Sequence, residues 1–149
     1  MSIANACTAI TNWASEAGIS QDRDLSPFVT CAVLIAQSDG PITESEFKEL
    51  NEIQICLTGA EYTWDQLQAE VDWIANNGND GAVTTIAEQL SDEGDRRLAV
   101  SFAALVACAE KGVGAQEGAA LQTLGQGLGF SHNEVLQILG KAMNAAAGR

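Results

Sequence analysis

The sequence predicts an all-α fold: a bundle of about eight helices, pseudo-duplicated around two buried central ones. Three observations carry this. Apolar residues recur at three- and four-residue spacing and hardly ever alternate with polar ones over a strand's length. Two stretches, Pro27 to Ser38 and Leu98 to Ala109, are apolar on nearly all sides, the pattern of a helix surrounded by others. Finally, the segment Ala32 to Glu46 recurs 71 residues further on, pairing Leu34 with Leu105, Ile35 with Val106, Asp39 with Glu110, Ile42 with Val113 and Glu46 with Glu117. The repeat units run roughly over 24–57 and 95–128 inside a single domain spanning 1–149. A chain of this size buries ~68–70% of its unfolded surface and needs neither disulfide nor metal to fold.

The first helix follows Ser2 as N-cap and runs to about Ala17, with Ile3, Cys7, Ile10 and Trp13 on one face and Gly18 as the stop. Ser26 and Pro27 open the second helix in the N-cap and first-turn arrangement. Thr43 with Glu46 forms a capping box, and Phe47, Leu50, Ile53 and Leu57 give the third helix its apolar stripe before Gly59 ends it. Thr63 with Gln66 is a second box, introducing a helix lined by Trp64, Leu67, Val71 and Ile74 and closed by Gly78. Asp80 to Leu90 is a short connecting helix. The acidic run from Ser91 to Asp95 suits the N-terminal dipole of the long apolar helix after it. Leu121, Leu124 and Leu128 mark a helix ending near Gly129, where Gly125, Gly127 and Gly129 loosen or cap it. Ser131 with Glu134 then starts the last helix, carrying Val135, Ile138, Leu139, Ala142 and Met143.

Twenty acidic against seven basic residues give a formal charge of −13. That field repels phosphate backbones and anionic lipid, which argues against nucleic-acid partners and favours cations or basic protein surfaces. The four cysteines, Cys7, Cys31, Cys56 and Cys108, are widely spaced, with no C-x-x-C pattern and no histidine cluster. They read as buried free thiols in a reducing cytosol, neither a zinc site nor a redox pair. The N-terminus has no basic region, and the chain has no apolar run of about 18 residues, so the expectation is a cytoplasmic protein without membrane insertion.

The chemistry-bearing candidates lie at the repeated corner. Asp39, Gly40, Ile42, Thr43 and Glu46 match the second half of an EF-hand loop, but the first ligand position would fall on Ile35, an apolar residue inside a buried helix. A calcium loop of that type is therefore excluded. Asp39 and Glu110 stand at helix C-terminal ends, where a carboxylate is disfavoured by ~0.3–1 kcal/mol. A divalent cation held with Glu46 would offset this. At the second corner Lys111 can neutralise Glu110 internally, so Asp39 and Glu46 rank as the principal metal candidates, with Glu110 and Glu117 as weaker ones. His132, the single histidine, follows an N-cap and has no nucleophile beside it. Nothing assembles a catalytic constellation, and the chain reads as a non-enzyme.

The corner, Gln37 to Glu46, with its degenerate echo at Ala109 to Glu117 and the downstream Leu128 to Ser131, resembles the TerB-like domains named for tellurite-resistance operons. The resemblance implies an all-helical, pseudo-duplicated bundle in bacterial tellurite and stress responses. It also implies an acidic surface that binds a divalent cation (calcium, magnesium or manganese) weakly, and a scaffolding role beside other stress-response proteins. Carried over residue by residue, the acidic positions are Asp39 and Glu46, with Glu110 and Glu117 as counterparts. Here Glu110 and Lys111 replace the Asp-Gly pair, which sets symmetric two-site binding in doubt. The alternative is a purely protein-binding adaptor with a solvated acidic surface and no metal, its groove lined by residues such as Trp64, Trp73 or Phe130.

Overall fold

Helices follow one another along the whole chain in the computed structural model, which describes residues 2–110 and 112–149. They are α1 (Ser2–Glu16), α2 (Ser26–Ala36), α3 (Glu44–Thr58), α4 (Trp64–Gln89), α5 (Glu93–Glu110), α6 (Ala115–Gly127) and α7 (His132–Ala146), with no strand among the described residues. Seven elements replace the expected eight because the fourth and fifth run on as one. Gly78, at φ 77° and ψ 160°, still breaks α4 into two pieces, so its predicted stop survives as a kink.

The two apolar stretches become the centre. In α2 every residue from Pro27 to Ala36 is buried, and in α5 every residue from Leu98 to Ala107. These two helices pack against each other more extensively than any other pair, and α5 also meets α1, α3, α6 and α7. Small side chains allow this. Ala32, Ala36, Ala99, Ala103, Ala104 and Ala107 are all buried and let backbones approach closely, while Phe28 and Phe102, both fully buried, fill the remaining space. Each such ring contributes about 1.5–3 kcal/mol by leaving water.

The helix starts show how local chemistry fixes the ends. Thr43, Thr63 and Ser131 each accept a hydrogen bond at 3.1 Å from the backbone N–H three residues on, and Glu46, Gln66 and Glu134 each accept one from the cap residue's N–H. The predicted boxes are present. Two predicted caps move by one position or more. Ser2 lies within α1, and Ser26 is the first residue of α2 instead of its cap; Asp24 Oδ1 takes both the Ser26 N–H (3.0 Å) and its hydroxyl (2.6 Å). Those two bonds stabilise the Asp24 carboxylate and hold its pKa below the ordinary value.

The cysteine expectation is corrected. Cys7 on α1 and Cys56 on α3 form a disulfide, their Cα atoms 5.5 Å apart, and only Cys31 and Cys108 are free. Both residues lie on the facing stripes of two helices that the bundle packs side by side, a juxtaposition invisible to sequence spacing.

Candidate functional site

The first corner is built by the chain's own hydrogen bonds. Beyond Ala36, the Gln37 N–H reaches Val33 O (3.0 Å), the Ser38 hydroxyl donates to Ile35 O (2.7 Å) and the Gly40 N–H donates to Gln37 O (3.1 Å). These bonds satisfy carbonyls that an ion would otherwise be asked to meet. Gly40 turns the chain at φ 139°, and buried Ile42 pins the turn to the core.

Asp39 is exposed and stands three residues past the end of α2. Helix-dipole effects fade beyond the last turn, so the expected electrostatic penalty on Asp39, and the need for a cation to relieve it, is smaller than the sequence suggested. Glu46 is half-buried, with Oε1 committed to the Thr43 N–H at 3.0 Å. It is first a capping residue.

The second corner repeats part of this design. The Gly114 N–H donates to Glu117 Oε1 at 3.2 Å, as Thr43 does to Glu46, but glycine has no hydroxyl to complete the box. Glu117 is 3% exposed, against the half-exposure of Glu46. Glu110 is the last residue of α5; its side chain and Lys111 lie outside the described residues, as does the neutralisation expected between them. Among the described residues no group of three or more His, Cys, Asp or Glu side chains is arranged to hold a metal ion. His132 is exposed at the start of α7.

A more developed arrangement lies where α3 passes into α4. Gly59 ends α3 in the left-handed conformation (φ 77°). Gln54, 2% exposed, then donates to Ala60 O at 2.6 Å and Asn51 Oδ1 at 2.9 Å, while Asn51 Oδ1 also accepts the Tyr62 N–H at 2.8 Å. This buried amide network fixes the turn and the aromatic residues after it. Phe47 meets Trp64 edge-on, with centroids 5.3 Å apart and planes at 87°, and the Tyr62 ring centre lies 6.3 Å from that of Phe47. Trp64 remains 39% exposed. From sequence it counted as part of the packed face of α4, but its place in the first turn leaves it outside the bundle, while Leu67 and Ile74 are buried. Of the other two aromatic residues expected to line a groove, Trp73 is half-buried and Phe130 is buried.

Beside Tyr62 opens a cleft of about 320 Å³, between the α1–α2 loop and the α3–α4 turn. Asp24, Glu61 and Glu70 line it, and its Arg23 is drawn to Asp95 at 2.9 Å. Burial, reinforced by the Glu70 charge, pushes the Tyr62 hydroxyl well above its ordinary pKa, so it stays a neutral donor. Acidic residues are dense in the sequence that leads to this cleft: residues 39–72 hold nine carboxylates and one base, Lys48. The acidic composition was legible from sequence, but the meeting of Asp24, Glu61 and Glu70 beside Tyr62 was not.

Comparison of the chain with protein-family models, with curated proteins and with solved structures returned no match.

Proposed function

We propose that this chain is a non-enzymatic, TerB-like helical docking module that receives a basic segment of a partner protein, as a scaffold beside other proteins of a stress response. The observation that carries this reading is the 320 Å³ cleft lined by Asp24, Glu61 and Glu70 next to the Tyr62, Phe47 and Trp64 cluster. A lysine or arginine side chain suits both halves of that surface, its charge meeting the carboxylates and its stem or guanidinium plane lying on the aromatic rings. The −13 net charge adds long-range attraction for such a partner. Asp39 and Glu46, with Glu110 and Glu117, stay in the proposal as acidic positions for a weakly held calcium, magnesium or manganese ion that keeps most of its waters.

A peptide of alternating lysine and arginine, titrated against ¹⁵N-labelled protein, tests the docking half. The expected result is a shift of the Trp64 indole resonance that weakens with salt and is lost in a Glu61→Gln, Glu70→Gln double variant. Equal shifts from a neutral peptide of the same length would overturn it. Binding that ignores salt yet needs Trp64 would point to the adaptor reading, with the acids serving solubility. For the cation half, calorimetric titration of the three metals should give heat that disappears in Asp39→Asn with Glu46→Gln, a pair that keeps the capping bonds; heat unchanged by the pair removes these residues as ligands.

A further inference from the structure

On the side of the bundle where α1, α5 and α7 meet, a second cleft of about 250 Å³ has the opposite character. Two of the chain's seven basic residues, Arg97 and Lys141, line it with Trp13 and Ser101; Glu16 is its one acid. We propose that this cleft is a binding site for a small oxyanion group, a carboxylate or a phosphate, held by Arg97, Lys141 and the Ser101 hydroxyl.

Four features support the assignment. Cations are scarce in this chain, and the other basic side chains with described contacts are consumed locally: Arg23 pairs with Asp95 at 2.9 Å, and Arg96 donates to three backbone carbonyls. Lys141, in contrast, has no ion pair among the described residues, and its ammonium rests 4.9 Å from the centre of the Trp13 ring. Arg97 is oriented in the same way, 4.9 Å over the buried Phe130 ring, with a single long contact to Glu134 at 3.6 Å between half-exposed side chains. Ring faces thus hold both charges, Lys141 without an ion pair among the described residues and Arg97 in a half-exposed pair with Glu134.

Ser101 is the fourth feature. Buried polar side chains are paired almost everywhere in proteins. Here Thr30 donates to Ser26 O, Gln54 to Ala60 O, and Glu117 accepts from Gly114 N–H. Ser101 is 8% exposed, lines the cleft, and alone of these four has no hydrogen-bond partner among the described residues. It lies one turn after Arg97 on α5, so the two residues share a helix face and both line the cleft. An oxyanion between them would satisfy the hydroxyl and gain charge-assisted bonds from both cations. Leu98 and the Trp13 ring supply an apolar wall for whatever carries the anion.

Titration of ¹⁵N-labelled protein with benzoate and, separately, inorganic phosphate tests this, reading the Trp13 indole resonance; benzyl alcohol is the neutral control. At least one anion should shift that resonance saturably, while the alcohol should not. Which anion binds more tightly tells a carboxylate ligand from a phosphate one. Lys141→Met and Ser101→Ala should each weaken binding about tenfold, the loss expected for one charge-assisted bond. Both sites tolerate these changes, one exposed and the other losing only an oxygen, so folding is not at stake. Absence of saturable shifts with either anion, an equal response to the alcohol, or affinity unchanged in both variants would overturn the proposal.

Discussion

Cys7 and Cys56, 49 residues apart in sequence, clip α1 to α3 through a disulfide. The chain-entropy account of cross-links assigns such a loop about 4 kcal/mol of stability, gained mainly by restricting the unfolded chain. Urea unfolding with and without reductant should therefore differ by about that amount, and a Cys7→Ser, Cys56→Ser variant should match the reduced protein. In a reducing cytosol the bridge would be open and the protein correspondingly weaker. Four titratable thiols in the unfolded, unreduced protein, with no effect of reductant, would show that the bridge does not form.

The two free thiols should differ sharply. Cys31 is fully buried, and desolvation raises its pKa strongly, with a further contribution from the Glu70 charge. Cys108 is half-buried, and burial together with the nearby Glu117 carboxylate pushes it from the ordinary value of 9.0 up to about 11. Alkylation of native protein should modify Cys108 alone, with a rate that climbs toward pH 11 instead of levelling near 9. Because the folded form holds this proton more tightly than the unfolded one, stability is full below pH 9.0 and falls as pH rises to about 11. A Cys108→Ala variant should lose part of that alkaline decline.

How much of this was legible in the sequence depended on whether the signal was local. The capping boxes at Thr43, Thr63 and Ser131 were readable because cap and partner are three residues apart, and the two central helices because apolar composition has no polar face to misplace. The disulfide, the aromatic cluster and both clefts join residues far apart in the chain, such as Asp24 with Glu70 or Trp13 with Lys141. No periodicity encodes those meetings. Sequence neighbours place Asp39 at a helix C-terminal end, where a carboxylate is disfavoured, but α2 stops three residues earlier and the dipole's effect on Asp39 is smaller.

Sequence position makes Gly125 and Gly127 loosen or cap the end of α6, but in the structure both mark close contacts. A Cβ on Gly125 would overlap Val135 Cγ2 of α7, and one on Gly127 would overlap Val83 Cγ1 of α4. Gly125→Ala and Gly127→Ala should each destabilise by about 1–3 kcal/mol as the branched neighbours are forced aside. Gly140, inside α7 with open space around its Cβ position, is the control: Gly140→Ala should stabilise by about 0.5–1 kcal/mol through helix propensity. Thermal or urea melts of the three variants distinguish steric contact from simple backbone freedom, since freedom alone would make all three alanines stabilising.

Arg96 has a role that its charge does not suggest. Its guanidinium donates from Nε to Leu90 O (2.5 Å), from Nη2 to Ala87 O (2.7 Å) and from Nη1 to Leu128 O (3.2 Å). One planar group thereby caps the end of α4 and ties in the end of α6, supplying donors to carbonyls that their own helices leave open. Lysine keeps the charge but not the fork, so Arg96→Lys should lose about 3 kcal/mol, the cost of leaving two carbonyls with poorer partners. Arg97→Lys, one residue on and half-exposed, should change stability by less than about 1 kcal/mol. Equal, small effects at both positions in urea unfolding would mean that water replaces the Arg96 bonds without loss. A large loss at Arg96 alone would identify it as the side chain that ties the end of α4 to the end of α6.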